Sequence, residues 1–166
     1  MDPLSKLAAE LGKHLLALKL QVTTAESCTG GGIAEAITRI AGSSAWFEAG
    51  FVTYSNQQKT KQLEVPESLF SRVGAVSREV VEAMALGAQK QSGAYFSVAV
   101  SGVAGPGGGS PDKPVGTVWL AWVAGDTVSA ECRHFSGDRD EVRRQTVVAA
   151  LEGLIRRTVR EIKNQG

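Results

Sequence analysis

The run Ala94-Tyr-Phe-Ser-Val-Ala-Val100 constrains this chain more than any other stretch, because it reads as a strand with no sustained polar face. A strand apolar on both sides needs cover on both sides, which is the habit of sheets in α/β proteins and not of a half-wetted ribbon. The rest of the chain supplies that cover. Leu4, Leu7, Ala8, Leu11, Leu15 and Leu18 recur at helical spacing and predict an opening helix that ends near Lys19. Gln21–Ala25 predicts a short strand, Glu26–Gly32 a small polar turn, and Ile33–Ile40 a helix broken by Ala41-Gly-Ser-Ser44. Trp46–Tyr54 is rich in aromatic and β-branched residues and reads as a strand, with Asn56 as N-cap of the helix after it. Val65-Pro-Glu starts another helix, and Ser77 caps a longer one reaching about Gln91. Val115–Val123 and Thr127–Phe135 form a hairpin across Gly125-Asp126, and Asp138 caps a last helix to about Lys163. Strands alternating with helices, plus one late hairpin, predict a mixed β-sheet covered by helices on both faces, a three-layer α/β sandwich formed by residues 1–166 as a single domain. A chain of 166 residues, 43% of them hydrophobic, has enough apolar material for that core.

Composition narrows the function. Eighteen Lys plus Arg against seventeen Asp plus Glu leave a net charge of +1 with no block of one sign, which argues against a nucleic-acid partner. No run reaches the length of a membrane span and the N-terminus lacks the pattern of a signal peptide, so a cytoplasmic protein with no membrane partner is expected. Cys28 and Cys132 lie far apart, and His14 and His134 form no ligand motif, so neither a metal nor a disulfide framework is expected.

Three loops should leave one edge of the sheet: Ser27–Gly32, Tyr54–Lys59 and Ser101–Ser110. Ligands of open α/β sheets bind in such a crevice. With Asn56 as N-cap, Lys59 falls at the third helical position, where a cation faces the positive end of the dipole. That effect is about 0.3–1 kcal/mol, less than one pKa unit, so only burial would turn Lys59 into a base. On position alone the plainer reading is a solvated lysine beside Lys61; a hydroxyl nucleophile nearby would give it a task. Ser27 and Thr29, with Gly30 and Gly31 behind them, sit at a strand-to-helix turn whose N–H groups suit an anion or oxyanion, although ordinary helix capping also fits. Cys28 reads as a packing residue, since no histidine stands near it to activate a thiol. Ser43 and Ser44 follow Gly42 at another break, where serine usually turns the chain, but a serine can serve as nucleophile if a lysine takes its proton. Tyr54 is placed to hydrogen-bond such a pair. Arg139 repeats the Lys59 anomaly at the start of the last helix, where it either pairs with Asp138 or Asp140 or binds a carboxylate or phosphate. Arg143 and Arg144 fit the solvated face. Ser101 and the glycines Gly105 and Gly107 bring backbone and hydroxyl close to a ligand.

Taken in order, Ala25-Glu-Ser-Cys-Thr-Gly-Gly31, Ala41-Gly-Ser-Ser-Ala-Trp-Phe47, Val52-Thr-Tyr-Ser-Asn56 with Lys59, Gly74-Ala-Val-Ser77, Ser101-Gly-Val-Ala-Gly-Pro106, Lys113-Pro-Val-Gly-Thr117 and Ser136-Gly-Asp-Arg139 resemble the CinA C-terminal domain family. The resemblance spans almost the whole chain, and the larger N-terminal domain of full-length members is not in it. It implies a stand-alone, metal-independent amidase without a cofactor, which deamidates nicotinamide mononucleotide to nicotinate mononucleotide and ammonia in pyridine-nucleotide recycling. It implies Ser44 and Lys59 as the catalytic pair, with Ser27 the alternative nucleophile, and Tyr54, Ser101 and Arg139 in support. Two other readings are a non-catalytic nucleotide-binding module and a partner protein in competence or DNA damage. The apolar hairpin with Trp119 and Trp122 offers a surface for a homo-oligomer such as a dimer.

Overall fold

The computed structural model describes residues 1–166 as five strands and six helices in the order α1 (Pro3–Leu18), β1 (Val22–Glu26), α2 (Gly32–Thr38), β2 (Phe47–Val52), α3 (Asn56–Leu63), α4 (Ser68–Arg72), α5 (Arg78–Ser92), β3 (Phe96–Gly102), β4 (Thr117–Ala124), β5 (Thr127–His134) and α6 (Arg139–Gln165). One sheet holds all the strands, in the order β2-β1-β3-β4-β5. β1 runs parallel to β2 and to β3, while β4 and β5 form the antiparallel hairpin. The expected three-layer α/β sandwich is therefore present.

The two faces are covered differently. β3 presents Phe96, Val98 and Val100 to a core of 22 buried residues shared with α1, α2 and α6, where Leu11, Leu15, Ile33 and Leu151 meet. Its opposite face presents Ala99 beside Ala25 and Ala121, and α5 lies on these small side chains through Val80, Met84 and Ala88. Small residues let helix and sheet approach closely, and Ser97 is tolerated there because its hydroxyl donates to the Ala85 carbonyl at 2.8 Å. On the larger face Trp122 is 1% exposed and donates from Nε1 to the Ala150 carbonyl at 3.1 Å. A β-carbon on Gly153 would stand 2.1 Å from its ring. The expected Trp119–Trp122 surface is corrected to that extent: Trp122 belongs to the core, and only the half-buried Trp119, under the Arg78 guanidinium, reaches the surface.

Topology decides where a ligand can enter. The chain leaves β1 through α2 to reach β2 on one side, then returns through α3, α4 and α5 to β3 on the other. The connections diverge at the C-terminal ends of β1 and β3, and that is where α/β sheets open a crevice. The loops after β1, β2 and β3 and the chain entering α6 all lie at this end, because Thr117 at the start of β4 pairs with His134 at the end of β5.

Candidate active site

At that end a cavity of about 320 Å³ is lined by Ser27, Cys28, Tyr54, Lys59, Ser101, Arg139 and the glycine-rich loop from Gly105 to Gly109. The first wall is the turn after β1. Glu26 ends the strand fully buried, and its carboxylate accepts from the N–H groups of Ile33 and Ala34 at 2.8 and 3.0 Å and from the Thr29 hydroxyl at 2.5 Å. A carboxylate at a helix N-terminus satisfies donors the helix cannot, and here it pins α2 to the strand. Gly30 and Gly31 have φ of 59° and 105°, a conformation that side chains resist, so the turn requires them. Ser27, 8% exposed, is left facing the cavity with a hydroxyl that has no partner in the chain. The N–H groups of Cys28 and Thr29 also lack a backbone acceptor.

Lys59 forms the second wall. Ser55, and not Asn56, is the N-cap of α3, accepting from the Gln58 N–H at 3.1 Å. Lys59 is therefore the fourth helical residue, and its own N–H already donates to the Ser55 carbonyl. The expected clash with the helix dipole is correspondingly weakened, and burial takes its place. Lys59 is 1% exposed, its Nζ donates to the Tyr54 carbonyl at 3.0 Å, and no carboxylate pairs with it. Desolvation holds its pKa below the ordinary lysine value. Its neighbour Cys28 moves the other way: burial pushes the thiol up to about 12, which makes it inert at neutral pH.

The third wall is the loop after β3. Ser101 is 2% exposed and lines the cavity. Gly105, Gly108 and Gly109 have φ of 85°, 84° and 85°, and the N–H groups of Gly105, Gly107, Gly108 and Gly109 have no acceptor in the chain. Such a row of free donors suits an anion. Arg139, the first residue of α6 after its Asp138 cap, pairs with neither Asp138 nor Asp140. It donates instead to the Gly105 carbonyl at 2.8 Å and to the Tyr54 hydroxyl at 3.0 Å, bridging two loops across the cavity.

Of the residues singled out in the sequence, Ser27, Tyr54, Lys59, Ser101, Gly105, Gly107 and Arg139 meet at this cavity. Thr29, Gly30 and Gly31 belong to the turn that follows Ser27, and the cavity lining does not include their side chains: the Thr29 hydroxyl is held by Glu26, while the Thr29 N–H stays free. Ser44 is far from it. It lies exposed in the short turn Ser43–Ala45 that enters β2, whereas Tyr54 and Lys59 follow the end of that strand. Six residues of strand, roughly 20 Å at the usual rise, separate the two ends, so the Ser44–Lys59 pair cannot form. The expected solvated position of Arg143 is corrected: it is half-buried and donates to the carbonyls of Cys28 and Thr29 at 3.1 and 3.3 Å. Its four-residue spacing from Arg139 was the available signal. Arg144 is exposed and pairs with Glu141, as expected.

Comparison with known proteins bears on the whole chain. The family profile described as CinA C-terminal domain matches residues 4–158. The nicotinamide-nucleotide amidohydrolase PncC of Pseudomonas putida is 72% identical over 155 residues, 93% of this chain and 97% of that relative. The protein of the same name from Escherichia coli (strain K12) is 53% identical over 154 residues, 91% of this chain and 92% of the relative. A solved competence-damaged protein (CinA) superfamily protein from Klebsiella pneumoniae superposes with a TM-score of 0.92 at 34% identity, covering 96% of this chain and 99% of its own.

Proposed function

The chain belongs to the CinA C-terminal domain family, and from that premise we propose that it is a nicotinamide-nucleotide amidohydrolase, converting nicotinamide mononucleotide to nicotinate mononucleotide and ammonia with Ser27 as nucleophile and Lys59 as base. The observation that carries the mechanism is an unpartnered serine hydroxyl and a buried lysine without a counter-ion in one small cavity. A serine is a poor nucleophile until a neighbouring base takes its proton, and a desolvated lysine supplies that base. A pure binding module has no use for such a lysine.

The steps follow from the walls. Neutral Lys59 takes the Ser27 proton as Oγ bonds to the carboxamide carbon. The carbonyl π electrons move onto oxygen, and the N–H groups of the turn after Ser27 stabilise the charge. Protonated Lys59 returns the proton to the amide nitrogen, the C–N bond breaks, and ammonia leaves a nicotinoyl ester on Ser27. Water, deprotonated by Lys59, adds to the ester and expels Ser27, which regains its proton. The Tyr54 carbonyl orients Nζ throughout, and the Ser101 hydroxyl gives the reacting group a further partner. Arg139 and the free N–H groups of the glycine loop hold the phosphate. Tyr54 then has two duties, its carbonyl serving Lys59 and its hydroxyl serving Arg139.

No helix is long and apolar enough to cross a membrane, and the proposed reaction suits a cytoplasmic enzyme of nucleotide recycling. A homo-oligomer would use the hairpin through Trp119 and the outer strand β5. The test is mass spectrometry of the product from nicotinamide mononucleotide: nicotinate mononucleotide and ammonia from the wild type, and neither from Ser27→Ala. Tight binding of the substrate with no product from the wild type would favour the binding module.

A further inference from the structure

We propose that Arg143 is a positioning residue for the hydrolysis, holding the peptide group whose N–H meets the oxyanion; this rests on Ser27 being the nucleophile. Arg143 stands one helical turn beyond Arg139 on α6 and, unlike Arg139, does not line the cavity. It pairs with no carboxylate. Its guanidinium is spent on two carbonyl oxygens, those of Cys28 and Thr29, directly after Ser27. Charge-assisted donors on a backbone carbonyl are stronger and more directional than neutral ones.

The choice of carbonyls matters because a trans peptide is planar, with its C=O and N–H pointing in opposite directions. The Cys28 carbonyl and the Thr29 N–H belong to one such unit. Fixing the oxygen on Arg143 fixes the direction of the N–H, and the cation draws electron density that makes this N–H a better donor. The Thr29 carbonyl shares its unit with the Gly30 N–H, which donates to the Ser27 carbonyl at 3.0 Å and closes the turn on the nucleophile itself.

Little else restrains that side. Glu26 grips the inner side through the Thr29 hydroxyl and the N–H groups of Ile33 and Ala34. On the outer side Gly30 and Gly31 have no side chains, and a β-carbon on Gly30 would come within 3.2 Å of the Arg143 guanidinium. Glu26 and Arg143 thus hold the turn from opposite sides, one by its donors and the other by its acceptors.

The experiment compares kcat and KM for Ser27→Ala, Arg143→Ala and Arg143→Lys on nicotinamide mononucleotide, with and without millimolar guanidinium. Arg143→Ala should lose about 10- to 100-fold in kcat, the cost of misplacing a catalytic group by up to an ångström, with KM within about threefold. Guanidinium should restore part of that kcat, because it fills the vacated space and reaches the same carbonyls. Lysine, which reaches only one carbonyl, should fall between wild type and alanine. Wild-type kcat in Arg143→Ala, a loss carried by KM, or a loss that neither guanidinium nor lysine repairs would overturn the proposal. If the alanine variant does not fold, Arg143→Lys decides: reduced kcat at unchanged KM supports the role, and wild-type kcat refutes it. An active Ser27→Ala defeats the Ser27 mechanism itself, whereas an inactive one beside a fully active Arg143→Ala defeats only this inference.

Discussion

The two ends of the sheet offer contrasting cavities. At the N-terminal ends of the parallel strands an open groove of about 840 Å³ is lined by Leu15, Leu16, Lys19, Leu20, Gln89 and Lys90. At the C-terminal ends the space is about 320 Å³. The larger space has the poorer chemistry. Its lysines are solvated, with Lys90 paired to Glu64 at 3.1 Å on the surface, and the nearby Ser44 is exposed. The smaller cavity buries its lysine, leaves its serine hydroxyl unpartnered, and surrounds both with free backbone donors. What separates them is not residue type, since each end has serine and lysine, but the direction in which the strands deliver their loops and helices. At the C-terminal ends the turn after β1 and the glycine loop after β3 converge with unpaired N–H groups, which is where charge can be stabilised without water.

The sharpest way to break this comparison is to remove one serine from each end. Ser27→Ala should lower kcat for nicotinamide mononucleotide by at least about 10³-fold, as loss of a nucleophile does. Ser44→Ala should remain within about twofold in both kcat and KM, measured by ammonia release. A reversed result would return the nucleophile to the N-terminal end and undo the mechanism.

Lys59→Met should cost about 10²–10⁴-fold in kcat, the usual range for a general base. Stability should move the other way. The folded pKa of Lys59 lies below 10.5, so between the two values the unfolded chain binds more protons than the folded one. Stability therefore rises with pH through that window, and the burial penalty is present in full below the folded pKa. Denaturant titrations should show the pH-dependent rise in the wild type and its absence in Lys59→Met, which should also be at least as stable at neutral pH. In the wild type, kcat/KM should climb with pH below the normal lysine range.

Much of this was legible in the sequence, and the gaps have physical reasons. The buried β3, the hairpin and the caps at Ser77 and Asp138 all follow from local pattern, and Ser77 and Asp138 do accept from Val80 and Glu141. The convergence of three loops followed from the alternation of strands and helices. Ser44 was misplaced because sequence distance does not reveal which end of a strand a turn occupies, and a parallel strand carries its entry and exit to opposite edges. For Lys59 the helix dipole is the weaker signal and Leu63, four residues on, the better one: both lie on the buried face of α3. For Arg143 the only local signal is its four-residue spacing from Arg139; its partners are backbone carbonyls more than a hundred residues away, which leave no mark in a sequence.

Arg139→Ala should have an intermediate effect, raising KM for the mononucleotide by about 10- to 100-fold through loss of a charge-assisted contact to phosphate, with less change in kcat. Nicotinamide riboside, which lacks the phosphate, should respond far less to the same substitution. An equal loss on both substrates would move Arg139 from phosphate binding to support of the Tyr54 loop.

The smallest effect should come from Cys28, although it adjoins Ser27 and lines the cavity. A thiol held near 12 is thiolate to the extent of only about 10⁻⁵ at pH 7, too little to compete with an activated serine. Cys28→Ala should therefore change kcat/KM by no more than about threefold, with a modest loss of stability from the vacated space. Iodoacetamide followed by peptide mass mapping should modify the half-exposed Cys132 first and leave Cys28 largely unlabelled while the protein is folded. Rapid alkylation of Cys28 with parallel loss of activity would mean that the cavity is wetter than its burial implies. The desolvation that lowers the Lys59 pKa would then be in question as well, because the two side chains share the same dry space.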